Sequence, residues 1–212
     1  MALKLITAPA ALPVSVEEAK EHMVVATSAD DALIESYIAA AVELAENQTG
    51  RQLAEAIYEL ALEGFPSGMP GWLCGVWIDK RAIELPRAPL ISVESITYVD
   101  PEGQTQTLSP TAYEADADSI PGRVLPAFGE EWPQARRQPG AVRVRFRCGW
   151  EFSQSTSPGV WTGPKAIATW IKVRVATMYA QREALVQGQA IAEIPRDFVD
   201  GLLDPYRILQ VV

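Results

Sequence analysis

Histidine occurs once in the 212 residues, at position 22, so any Ser-His-Asp or Cys-His site would have to use that one ring. His22 lies in a short amphipathic stretch, and no nucleophile motif stands anywhere in the chain. Carboxylates are plentiful, but the pairs Glu17-Glu18, Asp30-Asp31 and Glu130-Glu131 are neighbours in sequence with no supporting ligands around them. That placement suits helix starts and surface charge better than paired acid–base work. Gly64, Gly68, Gly71 and Gly75 lack the Lys-Ser/Thr ending of a phosphate loop and the strand–turn–helix setting of a dinucleotide fingerprint. Cys74 and Cys148 have no companions at metal-ligand spacing and read as reduced, buried small hydrophobes. The residues predict no catalytic group, no cofactor and no metal, hence no enzyme; a hydrolase of unfamiliar type would have to run through His22.

The charged residues are more telling. Net charge is −9, and residues 1–63 carry eleven acids against three bases, a balance that opposes tight nonspecific binding of nucleic acid. The one concentrated basic feature is Arg143, Arg145 and Arg147, alternating with Val142, Val144 and Phe146, with Arg136 and Arg137 just upstream. Such a row either lines a nucleic-acid path or meets an acidic partner, or it pairs across the sheet with a face such as Glu55, Glu59 and Glu63. Each such exposed pair contributes a few tenths to about 1 kcal/mol, and cross-strand pairing is the simpler reading.

The elements that position these groups follow from periodicity. Ser15 and Glu18 make a capping box for a helix over 16–25. A second helix should start after Ser28, with Asp30 and Asp31 at the positive end of its dipole, and stop at Gly50. Its apolar stripe is Ile34, Tyr37, Ile38, Ala41, Leu44 and Ala45, with Glu35, Glu43 and Glu46 facing outward. From Gln52 the period changes to two, with Tyr58, Leu60 and Leu62 on one side of an extended run. Residues 64–78 read as a Gly/Pro/Trp-rich loop. Pro86 and Pro89 force a corner, and residues 91–108 form a hairpin around the turn Asp100-Pro101-Glu102-Gly103. The apolar parity slips between Val93 and Ile96, which places a bulge near Glu94. Residues 122–133 read as irregular and 142–147 as the clearest strand. A third helix spans 165–187, with Ile167, Trp170, Ile171, Met178 and Leu185 on one stripe, and a last helical turn or two lies around Phe198, Leu202 and Leu203, bracketed by Pro195 and Pro205.

This order predicts a single α+β domain over 1–212, with N-terminal helices at 14–50, a β-rich insertion at 54–152 in the helical core, and C-terminal helices and tail at 164–212. Apolar residues make up 48% and charged residues 21%, as expected of a soluble globular chain. No apolar run approaches the roughly 18 residues needed to cross a bilayer, and Pro9 and Pro13 follow Met1–Ile6 in place of a cleavage site, so neither membrane nor export is expected. The third helix is basic (Lys165, Lys172, Arg174, Arg182) where the second is acidic. Part of that complementarity, with Glu35, Glu43, Glu46, Lys172 and Arg174 as candidates, is expected between neighbouring copies, since head-to-tail contacts close into rings.

In its order of motifs the chain resembles the head–tail connector, or adaptor, proteins of tailed bacteriophages, prophages and gene-transfer particles. The likeness is carried by Ser15 to Glu18 with the acidic helix ending at Thr49-Gly50-Arg51, by Leu85-Pro86-Arg87-Ala88-Pro89 and Tyr98-Val99-Asp100, by Gly122 to Trp132-Pro133 with Val142 to Trp150, and by Leu202-Leu203-Asp204-Pro205-Tyr206-Arg207. The resemblance implies a structural virion protein made in the host cytoplasm and placed at the head–tail junction. It implies a ring of about twelve copies beneath the portal protein, with a tail-side stopper or tail component as its other partner. DNA would pass through the channel without sequence-specific binding. It also implies a portal-facing C-terminal segment, with Asp204, Pro205, Tyr206, Arg207 and Ile208 as candidates, although Leu203 and Tyr206 would serve equally well in packing on their own domain. The long β insertion departs from the smallest, mostly helical members. It leaves a second reading, a carbohydrate- or protein-binding module with Trp72, Trp77 and Trp132 as an aromatic platform.

Overall fold

The computed structural model describes residues 1–68, 71–73, 76–153, 159–182 and 199–208, with only the backbone over 71–73 and 76–78. The chain divides into a β unit, Met1–Pro9 with Glu55–Gly149, and a helical unit, Ala10–Ala54 with Trp150–Val212. A single domain with an insertion anticipates neither the inclusion of Met1–Pro9 in the β unit nor the two-way division.

In the helical unit, α1 (Val16–Met23) opens with both halves of the capping box: Glu18 N–H donates to Ser15 Oγ at 3.1 Å and Ser15 N–H to Glu18 Oε2 at 2.9 Å. This satisfies two donors that the first turn cannot satisfy itself. Helix α2 (Asp31–Thr49) ends at Gly50, whose φ of 70° is the left-handed conformation that lets its N–H turn back onto Glu46 O. Its buried stripe is Ile34, Ile38, Ala41, Val42 and Ala45. Tyr37 packs at the margin, but Leu44, expected in the stripe, is exposed. Helix α3 (Lys165–Ala180) follows Pro164 and buries Ile167, Trp170, Ile171 and Val175. These residues form one core with Val14, Ala19, Leu53 and Leu203. The expected Leu185, Gln187, Pro195 and Phe198 lie outside the described residues, and the segment that follows resumes as two 3₁₀ turns, Asp200–Leu202 and Asp204–Tyr206.

The β unit contains β1 (Ala2–Thr7), β2 (Ala56–Leu62), β3 (Gly71–Leu73), β4 (Val76–Ile78), β5 (Ile83–Leu85), β6 (Leu90–Val99), β7 (Thr105–Thr107), β8 (Tyr113–Asp116), β9 (Gly122–Pro126) and β10 (Val142–Cys148). An antiparallel five-stranded sheet runs β1-β2-β10-β6-β7, a three-stranded sheet runs β5-β9-β8, and β3 pairs with β4. Val142, Val144, Phe146 and Cys148 point from β10 into a core shared with Leu60, Ile96, Ile83, Leu85 and Val124. The hairpin of β6 and β7 closes with Gly103 N–H on Asp100 O at 3.0 Å. Across β10 and β6, Arg145 faces Ser95 and Phe146 faces Val93, so Glu94 is the extra residue of the expected bulge. A second slip falls between Arg147, opposite Ser92, and Cys148, opposite Leu90. It puts Leu90 in the core in place of Ile91.

Four strands differ from the sequence reading. The 64–78 loop carries the β3–β4 pair, and 122–126, expected to be irregular, is the middle strand of the smaller sheet. Gly122 fits there because a Cβ would run into the Leu90 side chain, while Pro126, which has no N–H, is tolerated at the strand's end. Ala2–Thr7, not expected to be structured, is the edge strand β1, with Ala2 opposite Ala61 and Lys4 opposite Glu59.

Truncating Phe146, fully buried in β10, should cost the β unit about 3–5 kcal/mol in Phe146→Ala, measured by denaturant unfolding. Asp116 accepts from Ser119 Oγ at 2.6 Å and Arg123 Nε at 2.9 Å, and these bonds hold its carboxyl at about 2 against an ordinary 3.8. The ionised form is the one the fold favours. Its contribution is therefore present above pH 4, roughly, and lost as pH falls toward about 2, so Asp116→Asn should flatten the stability–pH curve in that window.

Candidate assembly surface

The described C-terminal segment, residues 199–208, is held within the helical unit at both ends. Asp200 Oδ1 accepts from Trp170 Nε1 at 3.1 Å and from Arg174 Nη2 at 3.3 Å, and the Arg174 guanidinium lies over the Trp170 ring. Leu203 is fully buried in the core and Tyr206 packs at its edge. At the far end Tyr206 O accepts from Arg51 Nε at 2.6 Å, and Ile208 N–H donates to Thr49 O at 2.9 Å. Of the five portal-facing candidates, Asp204, Pro205 and Arg207 are exposed, whereas Tyr206 and Ile208 are half-buried. Asp204 and Arg207 pair with each other at 3.3 Å.

The subunit-facing candidates divide in the same way. Glu35 and Glu43 are exposed on α2. Glu46, expected to face outward, turns inward instead: its Oε1 accepts from Gln52 Nε2 at 2.7 Å and from Leu53 N–H at 2.9 Å. The chain's reversal after Gly50 leaves the Leu53 N–H without a helix carbonyl, and the carboxylate one turn back is within reach of it and of the Gln52 side chain. Arg174 is committed to Asp200 in its own chain, whereas Lys172 is half-buried with no ion-pair partner among the described residues. The opposite charges of α2 and α3 also meet within the unit, where Asp30 Oδ2 accepts from Tyr179 Oη at 2.7 Å and from Arg182 Nη2 at 2.8 Å. Those hydrogen bonds, Tyr179's first, hold the Asp30 carboxyl below its ordinary range, and the same contact raises Tyr179.

The arginine row of β10 pairs across its sheet. Arg143 and Arg145 reach Glu59 at 2.6 and 3.6 Å, and Arg147 reaches Glu55 at 3.2 Å and Glu94 at 4.0 Å. Glu63 is exposed and takes no part in those pairs. Trp132 stacks on Phe65 with ring centroids 4.9 Å apart and donates Nε1–H to Arg81 O at 2.7 Å. It is a core anchor. The side chains of Trp72 and Trp77, like Cys74, lie outside the described residues. Among the described residues no His, Cys, Asp and Glu gather as a metal site, and no helix is long and apolar enough to cross a membrane.

The stretch from just before α1 to just after β7, residues 13–109, matches the family model of the phage gp6-like head-tail connector protein. Over those residues the resemblance to head–tail connectors holds. The connector match is to a structural family and not to an enzyme. Among solved structures the chain is similar to one from the "Neck of empty GTA particle computed with C6 symmetry", at 23% identity and TM-score 0.74. It is similar to another from the "Virion of native gene transfer agent (GTA) particle", at 22% identity and TM-score 0.73. A third, from the "Neck of native GTA particle computed with C12 symmetry", has 23% identity and TM-score 0.69. Each comparison covers 100% of this chain and 98% of the other, so this chain shares its fold with those chains along its whole length. No curated protein matches.

Removing the Glu46 carboxylate takes one acceptor from the nearly buried Gln52 amide and one from the Leu53 N–H. Glu46→Ala should destabilise the helical unit by about 1–3 kcal/mol in denaturant unfolding, and Glu46→Gln, which keeps an acceptor oxygen, by less.

Proposed function

We propose that this chain is a structural virion connector whose copies assemble head to tail into a ring, of about twelve members, at the head–tail junction. The portal protein lies on one side of the ring and a tail-side stopper or tail component on the other, with DNA passing through the channel. The observation that carries this reading is the connector-family match over 13–109 on a chain whose whole fold resembles chains of GTA necks and virions. The C6 and C12 symmetry with which those necks were computed supports a ring here. The arginine row is met by Glu55, Glu59 and Glu94, and the net charge is −9. Both suit a wall along which a polyanion slides without sticking.

The second reading, an aromatic binding platform, loses its anchor at Trp132, whose ring is stacked on Phe65 and whose N–H is bonded.

Within the ring, the exposed acids Glu35 and Glu43 of one copy face Lys172 of the next, and exposed Asp204, Pro205 and Arg207 face the portal. Arg174 is tied to Asp200, so Lys172 is the cleaner probe of the subunit contact. Lys172→Glu should lower the assembled mass in native mass spectrometry and light scattering; a mass identical to the parent's would sink the subunit assignment. Asp204→Ala with Arg207→Ala should leave that mass intact and reduce portal capture.

A further inference from the structure

Arg51 is 8% exposed, and no carboxylate among the described residues pairs with it. Burial pushes its ionisation downward from the ordinary guanidinium value, with Tyr206 opposing. A cation withdrawn from water without a counter-charge is costly and needs a compensating role. Its surroundings indicate which. The guanidinium lies over the Trp150 ring, 5.9 Å from its centroid, and its Nε donates to Tyr206 O at 2.6 Å. Beside it, Thr49 Oγ1 donates to Ala45 O and accepts from Arg51 N–H, while Thr49 O accepts from Ile208 N–H. The end of α2 thus grips the C-terminal segment by its backbone at two points. That grip leaves the side chains of Asp204, Pro205 and Arg207 exposed.

We propose that Arg51 is a positioning residue: it clamps the backbone of 206–208 to the end of α2, so that Asp204, Pro205 and Arg207 are presented to the partner as a fixed set and not as a loose tail. The clamp rests on the connector reading only for the identity of that partner, the portal. Preorganising a segment before binding removes the ordering cost from the binding step. Gly50 offers a way to test this directly. A Cβ at Gly50 would lie 3.6 Å from the Ile208 Cβ, within the range a disulfide spans.

The experiment uses the full chain as parent, R51Q, R51K, and R51Q combined with G50C and I208C. Hydrogen exchange reads the Ile208 amide, with the Gly50 amide on Glu46 O as internal control, and portal affinity and ring mass are measured alongside. R51Q should speed exchange at Ile208 about tenfold or more while leaving Gly50 unchanged. R51K keeps the cation and the stem but lacks the Nε donor. It should speed exchange at Ile208 as R51Q does, and the unchanged Gly50 amide in both variants separates loss of the clamp from a folding defect. Both should weaken portal binding about tenfold at unchanged ring mass, and the oxidised G50C/I208C tether should restore binding that reduction then abolishes. Parent-like exchange at Ile208 in both variants overturns the clamp. Faster exchange with parent-like portal affinity, or an oxidised tether that restores parent-like exchange at residue 208 but not affinity, overturns the positioning role. A parent that does not bind portal would instead overturn the partner assignment, and the exchange result would still decide the clamp.

Discussion

The helical unit depends on how the last turn of α2 satisfies its buried polar groups. Thr49, Arg51 and Gln52 are the buried polar or charged residues of the described chain, and Gly50 between them reverses the backbone. Groups withdrawn from water must find partners. Here the partners come from three separate stretches: Glu46 from the preceding helical turn, Tyr206 O from the C-terminal segment, and the Trp150 ring from the chain returning out of the β unit. Leu53 O, one residue on, accepts from Trp161 Nε1 at 2.7 Å. Segments far apart in sequence are thus brought to one helix end by hydrogen-bond demand as well as by apolar burial.

In the β unit the governing constraint is register. Strand β10 is paired on both sides, so its alternation decides which side chains enter the core and which stand outward as arginines. The bulges at Glu94 and Ile91 let β6 follow that register while its apolar residues fall three apart at Leu90, Val93 and Ile96. Without them half of β6 would present the wrong face. The outward arginines then fall within reach of Glu55, Glu59 and Glu94, so the cationic row is neutralised largely by its own sheet.

What could be read from the sequence was local. The capping box at Ser15, the stop at Gly50, the turn at Asp100 and the slip near Glu94 each depend on residues within a few positions of one another, and each appears in the structure. What escaped was non-local or disguised. Strand β1 is short and finds its partner some fifty residues away, while Pro121 and Pro126 hide the alternation of β9. Among the candidate residues, exposure of Glu35, Glu43, Asp204 and Arg207 follows from charge and position. Glu46 was misread because helix periodicity cannot see a chain that doubles back onto it. Arg51 carried a signal, a cation directly after a helix-terminating glycine and before an apolar run, but its partners at Trp150 and Tyr206 lie more than ninety residues on.

The interleaving of the two units along the chain has a consequence for synthesis. Helices α1 and α2 are complete by Thr49, but α3, whose Ile167, Trp170 and Ile171 fill their core, does not begin until Lys165. At ordinary elongation rates that interval is on the order of ten seconds. During it the apolar stripe of α2 is without its partner. The β unit, which ends at Gly149, is finished first although the helices were started before most of it. The nascent chain therefore passes through a stage in which the β unit is complete and the helical pair still lacks α3. Crowded ribosomes making many copies of one chain would meet that stage repeatedly, and an acidic outer face on α2 gives neighbouring nascent helices a reason to repel each other.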